Sequence, residues 1–180
     1  MFESGLARPA QPPRRPIAHA EDSMPVEQAE FRRALGHFAS AVTVVTAKLQ
    51  NGDPAGITVT AFSALSLEPP LVLICIDKRA RIHDHLARDG SFAVNILSDD
   101  QETVSRRFAA SEPDQFREIG YVEGTGGAPL IHDAVAAIEC KIVDLLPGGD
   151  HTIIVGEVEG TKIHEGKPLI YFRGGYGSLA

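Results

Sequence analysis

The chain has 180 residues, 43% of them hydrophobic and 23% charged, enough for one domain with a single proper core. Its formal net charge of −7 argues against a general affinity for nucleic acid or anionic membranes, and apolar runs such as Leu71 to Ile76 are far too short to span a bilayer. Cys75 and Cys140 stand far apart with no CxxC pairing, which suits a reducing, cytoplasmic setting; each thiol is first of all a small buried hydrophobe, with a reactive group as the alternative.

Residues 1–25 hold Pro9, Pro12, Pro13, Pro16 and Pro25, with Arg8, Arg14 and Arg15 balanced by Glu3, Glu21 and Asp22. They lack the apolar run of a signal peptide and are expected to form a disordered tail ahead of one domain, residues 26–180. A helix is predicted from Glu27 to Phe38, with Phe31, Leu35 and Phe38 at helical spacing and Glu30, Arg32 and Arg33 facing outward. The β-branched run Ala41 to Ala47 is a strand, and Asn51 to Pro54 is a turn. Gly56 to Ala61 follows as a hairpin partner, continuing loosely to Leu67. Beyond Pro69-Pro70, Leu71 to Ile76 is a fully apolar, buried strand. Arg79 to Arg88 suits a helix through Ile82 and Leu86, and Ser91 to Leu97 is another strand. Asp99 to Ala109 is a helix candidate, acidic early with Arg106 and Arg107 late, as the helix dipole prefers. Two long strands, Ala136 to Leu145 and His151 to Ile163, flank a turn at Pro147 to Asp150, and Leu169 to Phe172 is the last. The fold is therefore mainly β with a few helices, its strands antiparallel and closed into a barrel rather than doubly wound.

No GxGxxG opens a helix after a strand, so a Rossmann dinucleotide domain is not signalled, and Gly124 to Gly127 is only a near miss. P-loop, HExxH and GxSxG motifs are absent, and His83-Asp84-His85 lacks an obvious third ligand, so no metal is expected. Lys78, Arg79, Arg81 and Arg88, with His83 and His85, concentrate positive charge just after a buried strand. That cluster is either a solvated basic helix face or a phosphate site.

Five segments carry a family resemblance. They are Phe38 to Thr46, Ala55 to Ile76, Phe92 to Ser98, Gly149 to Val158 and Pro168 to Tyr176. In order and spacing they resemble the flavin reductase family, the short-chain reductase components of two-component flavin monooxygenases. The resemblance implies a split β-barrel of FMN-binding type, a homodimer, and an FMN or FAD site near the subunit interface. Thr58, Val59, Thr60, Ala61, Phe62 and Ser63 match the flavin-cradling segment; on their own, the threonines are equally ordinary strand residues and Phe62 plain core. Lys78, Ala80 and Arg81 stand where relatives hold the flavin phosphate, often with hydroxyls that this chain replaces. Val45, Thr46 and Asn95, from two further matching segments, complete the flavin side. The resemblance sets His151 on the nicotinamide side of the flavin, with Tyr171, Arg173, Gly174 and Tyr176 in the segment that closes the pocket. Arg173 would there meet a pyrophosphate charge and Tyr176 would stack on a ring.

The implied activity is that of an NAD(P)H:flavin oxidoreductase, moving a hydride from nicotinamide to FMN or FAD with His151 as the catalytic-site histidine. NADH is the expected donor, with NADPH as the alternative. A flavin-dependent monooxygenase is the expected, transient partner for the reduced flavin. Two other readings stay open: a non-catalytic flavin- or haem-binding split barrel, and a plain β-barrel interaction protein.

Overall fold

The computed structural model describes residues 26–110 and 114–179, so the tail expected at 1–25 lies outside the described residues. A short helix, α1 (Gln28–Leu35), precedes β1 (Ser40–Ala41), β2 (Thr43–Lys48), β3 (Pro54–Val59), β4 (Phe62–Leu67), β5 (Pro70–Asp77) and β6 (Ser91–Ile96). After α2 (Glu102–Ala109) come β7 (Tyr121–Glu123), β8 (Pro129–Ile131), β9 (Ala136–Gly148), β10 (His151–Ile163), β11 (Ile170–Phe172) and β12 (Gly175–Gly177). The main sheet has seven strands in the order β3-β2-β6-β9-β10-β5-β4, all antiparallel. Its two edge strands, β3 and β4, are consecutive in the chain and joined only by Thr60 and Ala61. A two-residue link cannot bridge the width of a flat seven-stranded sheet, so the sheet curls until its edges meet. That is a split barrel.

Alternation along the strands fills the interior. Val45, Ala55, Ile74, Phe92, Ile142 and Ile154 belong to one buried cluster, which Phe62 joins from β4, so every strand of the main sheet contributes. The long hairpin of β9 and β10 bends at register shifts between Val155 and Gly156 and between Val158 and Gly160. Gly156 is required there, because a Cβ would lie 2.6 Å from Cζ of Phe92.

The expected helix over 79–88 does not form; only His83–His85 makes a 3₁₀ turn. Asp77 takes the Arg79 backbone N–H with its side chain at 2.8 Å, and the amides of Ala80, His83 and Leu86 each bond three residues back. The segment is wound in tight turns that drive Ile82 and Leu86, 1% and 4% exposed, into one end of the barrel. His83 Nε2 lies 2.8 Å from Oγ1 of Thr152 and pins this plug to β10.

A second core lies outside the barrel. Phe108 of α2 is fully buried among Val44, Leu97, Ile131 and Leu169, a contact worth about 1.5–3 kcal/mol. The β7–β8 hairpin, which no local pattern signals, is held by buried side chains. Asn95 Oδ1 accepts from Ile131 N at 2.8 Å, and Thr46 Oγ1 donates to the Pro129 carbonyl. The first helix is shorter than predicted and buries none of its residues. Phe31, Leu35 and Phe38, read as its core face, are 56%, 55% and 76% exposed.

Candidate active site

A cavity of about 1150 Å³ opens between the end of α1, the start of β4 and the outer face of β5. The β11 strand reaches this place because it pairs with β1, Tyr171 opposite Ser40, directly after α1. Thr60, Ala61, Phe62 and Ser63 form one wall, Leu73 and Cys75 the floor, and Tyr171, Arg173 and Gly174 the far side. Cys75 N donates to the Ala61 carbonyl at 3.0 Å, so the link between β3 and β4 is fixed against β5.

Register places His151 on the same outer face as this floor, beyond Cys75 and outside the residues that line the cavity. Leu73, Cys75 and Asp77 alternate with the buried Val72, Ile74 and Ile76 and so share the outer face of β5. Directly opposed residues of an antiparallel pair project to the same side, and His151 opposes Asp77 while Ile153 opposes Cys75. His151 Nδ1 lies 2.8 Å from Asp150 Oδ1; a carboxylate only accepts, so this nitrogen carries the proton. The pairing holds the Asp150 carboxyl below the usual range. Burial pushes the Cys75 thiol up, which keeps it protonated and poorly nucleophilic at neutral pH. Asp77 is held far below the ordinary carboxylate range, chiefly by the hydrogen bond from the Arg79 side chain.

The electrostatics of the cavity run against those of the chain as a whole. Arg32, Arg33 and Arg173 line it with His37, and among the described residues no Asp or Glu does, in a protein with 24 acidic residues. Apolar walls with hydroxyls at one edge and guanidinium groups at another suit a flat heteroaromatic ring bearing an anionic tail. A flavin and a nicotinamide nucleotide both have that chemistry, and the donor set fits them.

The flavin reductase like domain model matches residues 35–180. The chain belongs to the flavin reductase family. A NADH-dependent flavin reductase of Rhodococcus sp is 41% identical over 153 residues, covering 83% of this chain and 85% of the relative. The reductase component of 4-nitrophenol 4-monooxygenase/4-nitrocatechol 2-monooxygenase of Rhodococcus opacus is 39% identical over 153 residues, 85% of this chain and 82% of that one. Among solved structures, the NADH:FAD oxidoreductase SgcE6 of Streptomyces globisporus, in complex with NAD and FAD fragments, superposes with a TM-score of 0.82 at 40% identity, covering 89% and 98% of the two chains. The protein is accordingly an NAD(P)H:flavin oxidoreductase with the family's split-barrel fold, and the non-catalytic alternative finds no support among these relatives.

Not every residue expected at the reductase site reaches the cavity. Thr60, Ala61, Phe62, Ser63, Tyr171, Arg173 and Gly174 line it together. Val45, Thr46 and Asn95 do not: all three are fully buried, and the polar atoms of the last two are spent on backbone and each other. Thr58 donates to the Ser105 carbonyl at 2.6 Å and ties β3 to α2, while Val59 packs against the barrel core. The phosphate residues are dispersed. Lys78 Nζ donates to the Gly149 carbonyl, Arg79 pairs with Asp77, Ala80 packs on the core, and Arg81 faces a separate crevice beside Gln115. Tyr176 does not line it either: its hydroxyl is 2.9 Å from Ser105 Oγ, its ring is 4.9 Å from the Arg106 guanidinium, and it packs edge-on to Tyr171 at 5.4 Å. Sequence reasoning missed Arg32 and Arg33, placed by periodicity on the solvent side of α1, and His37, to which it gave no role. The available signal was a basic last helical turn directly before a matching segment.

Proposed function

We propose that residues 26–180 act as one catalytic domain in which NADH reduces FAD or FMN inside the cavity between α1 and β4. The reduced flavin then serves a flavin-dependent monooxygenase. The observation that carries this reading is the lining, which combines ring-sized apolar surface, hydroxyls and, among the described residues, charged side chains that are all basic. The names of the relatives support the remainder: NADH as donor, FAD as acceptor, an oxygenase downstream.

Bound flavin supplies the hydride-accepting chemistry. The protein's part is positional. Leu73, Phe62 and Tyr171 offer faces for flat rings, Thr60 and Ser63 offer hydroxyls to their polar edges, and the closed barrel behind them excludes water. No nucleophile is required, consistent with a Cys75 thiol held protonated. His151, its proton fixed at Nδ1 by Asp150, would offer a free Nε2 to the nicotinamide from beyond the Cys75 floor. The working form is a cytoplasmic homodimer, supported by two free cysteines and by the uncovered apolar face of α1 beside the cavity.

The test is NADH oxidation by purified protein with and without added flavin. Wild-type oxidation should depend on FAD or FMN. The His151→Ala variant should raise KM for NADH about tenfold while kcat changes by less than about threefold. Unchanged KM and kcat would remove His151 from the site, and no flavin-dependent oxidation by the wild type would remove the whole reading.

A further inference from the structure

The end of α1 and the turn between β11 and β12 meet at one histidine. His37 Nδ1 is 2.9 Å from the Arg33 carbonyl, and His37 Nε2 is 2.8 Å from an Nη2 nitrogen of Arg173. A carbonyl oxygen can only accept and a guanidinium can only donate. Both contacts are therefore satisfied by one state of the ring alone, neutral, with its proton on Nδ1 and a bare Nε2. The same junction is closed by the backbone, Arg173 N donating to the Gly36 carbonyl at 2.8 Å. Arg173 itself sits at φ +49, a left-handed conformation that a non-glycine residue keeps only when its surroundings hold it there. Phe172 packs against both partners, edge-on to His37 at 6.4 Å and 5.4 Å from the Arg173 guanidinium.

We infer that His37 is a positioning residue for Arg173, and that Arg32, Arg33 and Arg173 together form the subsite for a dinucleotide's pyrophosphate. The inference rests on the cavity being the flavin and nicotinamide site, and it supplies what the dispersed Lys78 to Arg81 segment does not. Arg32, Arg33 and Arg173 all line a cavity whose wall holds no carboxylate among the described residues. Among the described residues none of the three forms an ion pair, whereas Arg79, Arg88 and Arg106 are each neutralised by an acid. Guanidinium forks match phosphate oxygens geometrically, and their positive charge needs an anion in a partly enclosed site.

The experiment compares wild type, His37→Ala and His37→Gln. Glutamine keeps an acceptor near the Nε2 position and does not titrate. Each is assayed with NADH against 1-benzyl-1,4-dihydronicotinamide, which carries no phosphate, and with FAD against riboflavin. In His37→Ala the preference for the phosphate-bearing member of one pair should fall about tenfold, and His37→Gln should restore it. A fall in the NADH preference assigns the subsite to the nicotinamide nucleotide, and a fall in the FAD preference assigns it to the flavin. Preferences unmoved in His37→Ala, or lost in His37→Ala and not restored in His37→Gln, overturn the inference while leaving the cavity assignment intact. A wild type that oxidises neither donor with either flavin overturns the cavity assignment itself.

Discussion

Asn95 lies in the middle of β6 with its side chain fully buried, and both ends of its amide are used. Its nitrogen donates to the Val44 carbonyl and to Thr46 Oγ1, each at 3.1 Å, and its oxygen accepts from Ile131 N. These bonds join three segments that are remote in sequence, so a polar residue in a matching motif can be purely architectural. Replacing it with alanine strands a buried N–H and a carbonyl. Asn95→Ala should lower unfolding stability by about 2 kcal/mol or more in denaturant melts while leaving KM for flavin within about twofold. A large rise in KM at unchanged stability would return Asn95 to the cofactor site. Residues Thr60 to Ser63 were legible because their motif is contiguous. Tyr176 and the Lys78 to Arg81 run were legible as chemistry but not as placement, because Ser105, Gly149 and Asp77, which hold them, lie elsewhere in the chain or compete locally for the same N–H groups.

At the scale of elements, strands were easier to locate than helices. The alternation in β5 and the β-branched run of β2 are local, whereas the Ile82 and Leu86 pair is satisfied equally by a helix or by tight turns plugging a barrel. The β7–β8 hairpin carries no local signal, since side chains of β2 and β6 hold it in place. Periodicity located α1 and named its apolar face correctly, but nothing in the described residues covers that face. Phe31 and Leu35, with Leu65 and Leu67 of the edge strand β4, are 49% exposed or more, and Leu35 also lines the cavity. Burying such a patch is how a second copy would be held. Light scattering should give the mass of two chains for the wild type and of one chain for a Phe31→Asp, Leu35→Asp double variant. A wild type with the mass of one chain would contradict the homodimer.

At the scale of the molecule, antiparallel strands with short turns pointed to a closed barrel, but the closure itself rests on the join of β3 to β4 at Thr60 and Ala61. That join is also the wall of the cavity, so the break in the barrel and the site coincide. The remaining walls come from α1, β5 and the β11–β12 turn, which only the folded pairing of β1 with β11 brings together. The central claim is that this one cavity is where flavin is reduced. Ala61 is exposed on its wall, with room for a larger side chain that would occupy the ring's place without entering the core. The deciding measurement is anaerobic bleaching of the flavin's visible band by NADH, compared between wild type and Ala61→Trp. The wild type should bleach rapidly, while the variant should lose at least about tenfold in kcat/KM for flavin at an unchanged melting temperature. Bleaching at the wild-type rate by a folded Ala61→Trp protein would contradict that claim.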